Sequence, residues 1–530
     1  MTRRTDRRAG GAVADPQRHA SHVVAVVVPE PADAVPLVAL EPPGAELAVV
    51  CLGPGTKEGR AALDRALAQA AERGCRVADG PRVLRTEGGD TVAALLDALR
   101  EIGPERLRTL DPDPVHVSFD KVSGTPVHDG PAGHARAAAD ALAAARALQL
   151  ETGEPVYVEC HRAKADVRLG AASCLRYPLP VNWLSAGFDG RLTAFLPTAA
   201  GVVRRFQDAP DGRSWSGPEL IEGPGLLPGL TVVRDPHGFP HLFGLRRTPR
   251  PDGGVDVAVV HAAQYRTGQP PTPWQPLGGP NAGDWRKGRE VGFPTAAFDA
   301  AGNLFVFARN FGHSISCRRQ SADGSWSPWQ HLGGTRVADE LVAVTTPYGG
   351  VEVLARARDT AGVVRWYADR DGAWTEDRTQ PLAVRPGTMA PAPEPGGILF
   401  RDLESNRPYA WQPGAQAPSP LGDAEGSGPP AAVRGVETDG WTYSLLVGAG
   451  PRGTCALGVY PEGRPGPDAW WRDLGAPSYG VPAAEVSRTG RLTVATRAPG
   501  GRLLVAHRDE RAASLAFDDW RTAGDRRLTM

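Results

Sequence analysis

Two short motifs recur seven times each, in alternation, across the last two thirds of this chain, and a repeat of that kind constrains the fold more than any other feature. The first joins a tryptophan or its equivalent to a tight turn: SWSGP at Trp215, PWQPLGG at Trp274, SWSPWQHLGG at Trp329, AWTED at Trp374, PSPLG at Leu421, WWRDLG at Trp471 and DWRTAG at Trp520. The second is a turn that leads into an apolar strand, with its glycine at Gly190, Gly238, Gly302, Gly350, Gly397, Gly440 and Gly490. A unit of this size is one small sheet that cannot bury its own faces, so the units must stack, and a closed ring of them removes free strand edges. The first complete unit opens on the turn at Gly190 and the last ends on Trp520, so the terminal blade is expected to be shared between the two ends of the domain.

The 64 glycines and 51 prolines, in a chain still 41% hydrophobic, read as many tight turns between short strands. Residues 22 to about 165 follow another rule. VVAVVV (23–28) and LAVVCLG (47–53) are continuous buried-strand runs, and PVYVEC (155–160) is a returning strand. GRAALDRALAQAAERG and TVAALLDALREIG are amphipathic helices ended by Gly74 and Gly103, and HARAAADALAAARALQL (134–150) is a third. Strand and helix in alternation predict a parallel sheet with helices on both faces. The expected architecture is therefore multidomain: a disordered arm at 1–21, a Rossmann-like α/β domain at 22–180, and a seven-bladed β-propeller at 181–525.

Lysine and arginine number 59 against 60 acidic residues, for a formal charge of -1, so no global field draws in nucleic acid. The six cysteines, scattered and without a CxxC pair, read as buried core residues. No stretch approaches the roughly 20 apolar residues of a membrane span. The basic start lacks the apolar core of a secretion signal, which leaves a cytoplasmic location as the default expectation. The excess of Ala, Arg, Gly and Pro over Lys and Ile suggests a GC-rich, actinobacterial source.

The WSPWQHLGG pattern, with glycine turns between copies, resembles the lectin-like seven-bladed propellers of the PLL type over residues 183 to about 523. The resemblance implies carbohydrate or glycoconjugate binding between blades, where a tryptophan face stacks on a sugar ring; Trp274, Trp326 and Trp329 are the candidates. The bland alternative is that each repeat tryptophan packs one blade on the next.

Residues 22–180 resemble the PIG-L or LmbE-like family of zinc-dependent N-acetylglucosaminyl deacetylases, on VVAVVVPEPADAV, LAVVCLGPGTKEGRAALDRAL, LRTLDPDPVHV and GPAGHARAAADALAAA. In that family two His and one Asp hold zinc, and a further Asp takes a proton from the bound water. Here the first zinc His position holds Glu30, the general-base position holds Ala32, and Asp33 is kept; in the second motif Gly130, Pro131 and Gly133 replace the expected residues and His134 survives. The resemblance thus implies no confident catalytic residue, a residual metal set of Glu30, Asp33 and His134 with zinc retained or lost, and a sugar contact at Arg60 with Asp64 beside it. His116, His128 and His161 are expected near the cleft mouth, and GPGTK (53–57) is rejected as a phosphate loop because it lacks the GxxxxGK spacing. Three functions remain open: an inactive or repurposed deacetylase-like domain joined to a glycan-binding propeller, an active metal-dependent N-acetyl-sugar deacetylase or tailoring hydrolase, and a protein-interaction scaffold.

Overall fold

In the computed structural model the described residues are 22–78, 80–84, 90–128, 130–266, 268–368, 372–512, 514–524 and 528; the expected arm at 1–21 lies outside them. The N-terminal domain is built on a parallel sheet of β1 (His22–Val28), β2 (Ala45–Cys51), β3 (Arg76–Val77), β4 (Arg82–Val83), β5 (Arg106–Leu110) and, after the short β6 (His116–Phe119) and β7 (Pro126–His128) hairpin, β8 (Tyr157–His161). The spatial order is β3-β2-β1-β5-β8, with β4 also pairing β2.

Helices α1 (Pro31–Ala39), α2 (Lys57–Glu72), α3 (Thr91–Ile102) and α4 (Ala132–Thr152) cover both faces. Strand alternation explains how one continuous apolar run serves two cores. Val24, Val26 and Val28 meet Leu37, Val38, Leu63 and Leu67 of α1 and α2, while Ala25 and Val27 meet Leu95, Leu99, Ala141 and Ala145 of α3 and α4. The alanine-rich face of α4 lets it lie close on the sheet. Gly103 caps α3 at φ 60°, where an L side chain is strained, so the expected stop signal operates as read.

The rest of the chain forms seven four-stranded antiparallel sheets, blades 1 to 7, at residues 184–222, 231–278, 295–331, 337–377, 390–420, 427–477 and 483–522. The two sequence anchors have fixed places in every blade. Each turn anchor forms the hairpin between the first and second strands, with its glycine at positive φ: Gly190, Gly238, Gly302, Gly349, Gly396, Gly440 and Gly490 all lie between 77° and 91°. In blades 4 and 5 the left-handed residue is thus the first glycine of the pair. Each tryptophan anchor marks the fourth, outer strand.

The expectation of a shared terminal blade is corrected. Every blade consists of four strands consecutive in sequence, blade 1 included, so no strand is exchanged at the seam. The two anchors lie in one repeat unit, and reading the unit from its turn instead of from the inner strand just before it displaced the apparent boundary. Blades 1 and 7 are joined by other means. Trp183 donates its Nε1–H to the Val481 carbonyl at 2.9 Å, and buried Arg205 donates to the Ala523 carbonyl at 2.9 Å. Trp183, Leu184, Leu196, Leu503 and Val505 close an apolar cluster across the seam.

Candidate functional site

The repeat tryptophans act as staples between blades. Trp329 of blade 3 donates Nε1–H to the Leu277 carbonyl of blade 2 at 3.0 Å, Trp471 of blade 6 to Leu421 of blade 5 at 2.6 Å, and Trp520 of blade 7 to Leu474 of blade 6 at 3.0 Å. The acceptor is each time the leucine of the preceding unit's Leu-Gly turn, which gives both halves of that motif one structural task. Trp274 packs on the blade 1 and 2 core, and its Nε1 is buried with no partner among the described residues. Trp326 is half-buried, edge-on to His261 at 5.7 Å and under the Arg318 guanidinium at 5.6 Å. The three candidate tryptophans thus lie on the outer strands or beside them, committed in large part to packing.

On the N-terminal domain, Glu30 is the N-cap residue of α1, and its backbone N–H donates to the Asp33 carboxylate at 3.2 Å, a capping interaction. His134 Nε2 stands 3.4 Å from Asp33 Oδ1, so the fold brings together two of the three residues of the proposed metal set. Ala32 is exposed and packs toward Gly59. Among the described residues no group of three His, Cys, Asp or Glu side chains is gathered in one place as a set of metal ligands. Arg60 donates to the Pro54 and Gly55 carbonyls at 2.7 and 2.9 Å, tying the loop before α2 to its first turn.

His116 and His128 both reach the buried Glu290 of the propeller, at 2.5 and 2.9 Å, and His161 is buried at the end of β8, 3.6 Å from Glu159. His116 and His128 thus bind the two domains together, whereas the contact of His161 stays within β8 of the α/β domain. Around them the carboxyl edge of the parallel sheet meets the propeller through a chain of ion pairs: Asp111–Arg176 at 2.9 Å, Arg176–Asp339 at 3.2 Å, Arg309–Asp339, and Asp113–Arg247 at 3.1 Å.

A large cavity lies on the propeller axis. It measures about 750 Å³ and is walled by the innermost strands of all seven blades. The connecting segment, residues 178–182, forms one end of it. That segment crosses the axis: Tyr177 lies against Gly229 at the start of blade 2, and Leu179 lies against Gly428 at the start of blade 6, on opposite sides of the ring. The channel of a propeller thereby becomes a pit with a floor on the α/β side.

At the other end the walls carry Arg234 and Glu485, 3.4 Å apart. Burial pushes the Glu485 carboxyl up, against the pull of Arg234 and the backbone N–H groups of Ala186 and Val486. Glu394 accepts from the Ser444 hydroxyl at 2.8 Å and the Tyr460 hydroxyl at 2.9 Å. The first-hairpin turns, beyond the ends of the strands that wall the pit, carry exposed aromatics that are not part of its lining: Phe188 at 51%, Trp441 at 63% and Tyr348 at 99% exposure. Phe188 stacks on Phe239 at 5.8 Å with Arg488 over its ring at 5.6 Å.

None of these mouth and wall residues was a candidate in the sequence, although a signal existed. The residue five before each left-handed turn glycine belongs to an inner strand or its end, and Ser185, Val233, Ala297, Val344, Pro391 and Glu485 all line the pit.

No family model and no curated protein matches the chain. Among solved structures, AofleA from Arthrobotrys oligospora is 12% identical and the match covers 57% of this chain and 89% of that one, at a TM-score of 0.36. The Aleuria aurantia lectin, a six-bladed β-propeller with a fucose recognition mode, is 16% identical over 56% and 94%, at 0.33. A putative 6-phosphogluconolactonase from Bacteroides fragilis is 12% identical over 63% and 96%, at 0.41. Likenesses of this order carry no argument about function, and the assignment of a seven-bladed propeller rests on the seven sheets themselves. No helix among the described residues is long and apolar enough to cross a membrane.

Proposed function

We propose that this protein recognises carbohydrate through the propeller face turned away from the α/β domain. One observation carries the reading: an axial pit of about 750 Å³, walled by the first strands of all seven blades, lies on the side of the first-hairpin turns, which bear exposed aromatic side chains. The volume lies within the range of about 300–1,000 Å³ usual for small-molecule sites. The apolar C–H face of a sugar ring stacks on an aromatic such as Trp441 or Tyr348, while its hydroxyls need paired donors and acceptors of the kind Arg234 and Glu485 present. Trp326, on the outer strands, is a second and separable contact.

In the same proposal the α/β domain is a deacetylase-like support whose zinc and general-base positions are degenerate, so that it does not hydrolyse N-acetyl sugars. The methyl group of Ala32 accepts no proton, and Asp33 is engaged as a helix cap.

A glycan array followed by calorimetric titration tests the binding reading. Trp441→Ala and Glu485→Gln are expected to weaken the best glycan by about tenfold or more, and Trp326→Ala by less. A wild-type protein that binds no glycan tighter than about 1 mM would instead favour the protein-scaffold reading. Zinc content measured beside N-acetyl-sugar hydrolysis tests the second part, and stoichiometric zinc with turnover overturns it.

A further inference from the structure

The seam between the two domains contains a second cavity, of about 160 Å³, separate from the axial pit although Asp339 lines both, and walled on the α/β side in part by the LRTLDPDPVHV segment. Five arginines line it, Arg162, Arg176, Arg309, Arg356 and Arg358, against two carboxylates, Asp111 and Asp339. An arginine side chain stays charged at any physiological pH, so an excess of guanidinium groups in a recess must be neutralised by something.

The partners of each arginine are known in detail. Arg309 spends all three nitrogens, on Asp339 and on the carbonyls of Asn310 and Glu290. Arg176 is shared between Asp111 and Asp339. Arg356 pairs with Glu340 at 3.1 Å, and Arg358 donates to His313 Nε2 at 2.8 Å and to the Val117 carbonyl at 2.5 Å and stands 4.0 Å from the Asp359 carboxylate. Arg162 is different: among the described residues no carboxylate lies within ion-pair distance of it and no acceptor takes a hydrogen bond from its guanidinium. Burial disfavours its charge most; Asp339 and, less, Asp111 attract it from beyond ion-pair distance, while the neighbouring Arg176 and Arg356 repel it, and the balance leaves its charge disfavoured. A guanidinium without a direct carboxylate partner, beside Arg176 and Arg356, gains most from a charge-assisted hydrogen bond to an anion.

The position agrees with the charge. Arg162 follows β8 directly and Asp111 follows β5 directly, so the cavity lies at the carboxyl ends of adjacent parallel strands, where open α/β sheets bind ligands. The propeller supplies the opposite wall. The space is about half the lower limit for drug-sized ligands, which selects a small, highly charged group.

We propose that this seam binds a phosphate group, as inorganic phosphate or as the end of a phosphomonoester, with Arg162 as its principal partner and Arg356 and Arg358 as the flanking ones. Because the site straddles the two domains, occupancy clamps one to the other. The site is independent of the carbohydrate reading and stands or falls separately from it.

The test is a titration of the full chain with inorganic phosphate, glucose 6-phosphate, sulfate and chloride, followed by thermal unfolding and by calorimetry. Phosphate is expected to raise the unfolding temperature saturably, with a Kd below about 1 mM, and chloride at matched ionic strength is not. Arg162→Gln is expected to weaken phosphate by about tenfold or more while leaving the phosphate-free protein at least as stable as wild type. Arg162→Lys keeps part of the affinity, and Arg168→Gln, an exposed control outside the cavity, keeps all of it. Should Arg162→Gln fail to fold, Arg358→Gln carries the same test from the other wall. A stronger response to glucose 6-phosphate than to phosphate identifies a phosphomonoester as the ligand, and the reverse identifies the free ion. The proposal is overturned if chloride matches phosphate, if no ligand shifts the transition, or if the shift persists undiminished in Arg162→Gln.

Discussion

Asp113 shows how a single buried group ties stability to pH. It is enclosed between Arg247 at 3.1 Å and Arg289 at 3.8 Å, with Asp111 and Arg176 nearby. Burial pushes its carboxyl up from 3.8 to about 6; Arg247 and Arg289 oppose the shift and Asp111 adds to it. A raised carboxyl means that the folded protein holds a proton which the unfolded chain has already released. Its contribution to stability is complete below about pH 3.8 and is lost as pH rises through about 6, a change of about 3 kcal/mol across that window. Urea unfolding between pH 3.5 and 7 should therefore show a decline in the wild type that Asp113→Asn lacks, and parallel curves for the two proteins would contradict this account. Asp339 behaves in the opposite sense. Arg309 and Arg176 outweigh its burial and hold its carboxyl well below the usual range, so its contribution is present at neutral pH and fades in acid.

At the scale of the element, the outer strand is the unit that joins blade to blade. A tryptophan that both packs on its neighbour and donates to that neighbour's leucine carbonyl contributes through two separable terms. Trp329→Phe keeps most of the ring and loses the hydrogen bond to Leu277, whose carbonyl still accepts from Arg318, at a cost of about 1 kcal/mol. Trp329→Ala removes the packing as well and should cost about 3–5 kcal/mol. Trp274 supplies the contrast, since its Nε1 has no partner to lose: Trp274→Phe should be close to neutral while Trp274→Ala is not. Equal costs for the two phenylalanine variants in denaturant titrations would refute the staple. The turn elements are fixed by a simpler constraint, a left-handed φ at one position per blade that glycine adopts without strain.

At the scale of the molecule, the seam decides whether two domains behave as one. The sheet edge and the propeller share buried ion pairs through Arg176, which holds Asp111 and Asp339 together and lies over the Tyr177 ring at 5.1 Å. Arg176→Met leaves Asp111 without its ion-pair partner and Asp339 with Arg309 alone, and should cost about 3–5 kcal/mol. Scanning calorimetry is expected to resolve one transition for the wild type and two for the variant; a single transition at an unchanged temperature would show that the seam does not couple the domains.

The sequence by itself determined the elements: the parallel-sheet strands from their unbroken apolar runs, the helices from their period and glycine stops, and the number of blades from two motifs that agreed. These features are local, because hydrophobic period and left-handed glycine are set by residues close together in the chain. The sequence also marked Asp33 and His134, which the fold brings together, and it admitted packing as an account of the repeat tryptophans. Only the tertiary structure decided where ligands can go. Arg162 and Arg358, or Tyr348 and Trp441, are ordinary surface types in a linear reading, and each acquires meaning only when strands far apart in sequence converge on one axis or one seam. Ring closure without strand exchange was equally invisible, since it depends on which of two adjacent hairpins begins a blade, and that is settled by packing across a seam of some 300 residues' separation between Trp183 and Val481.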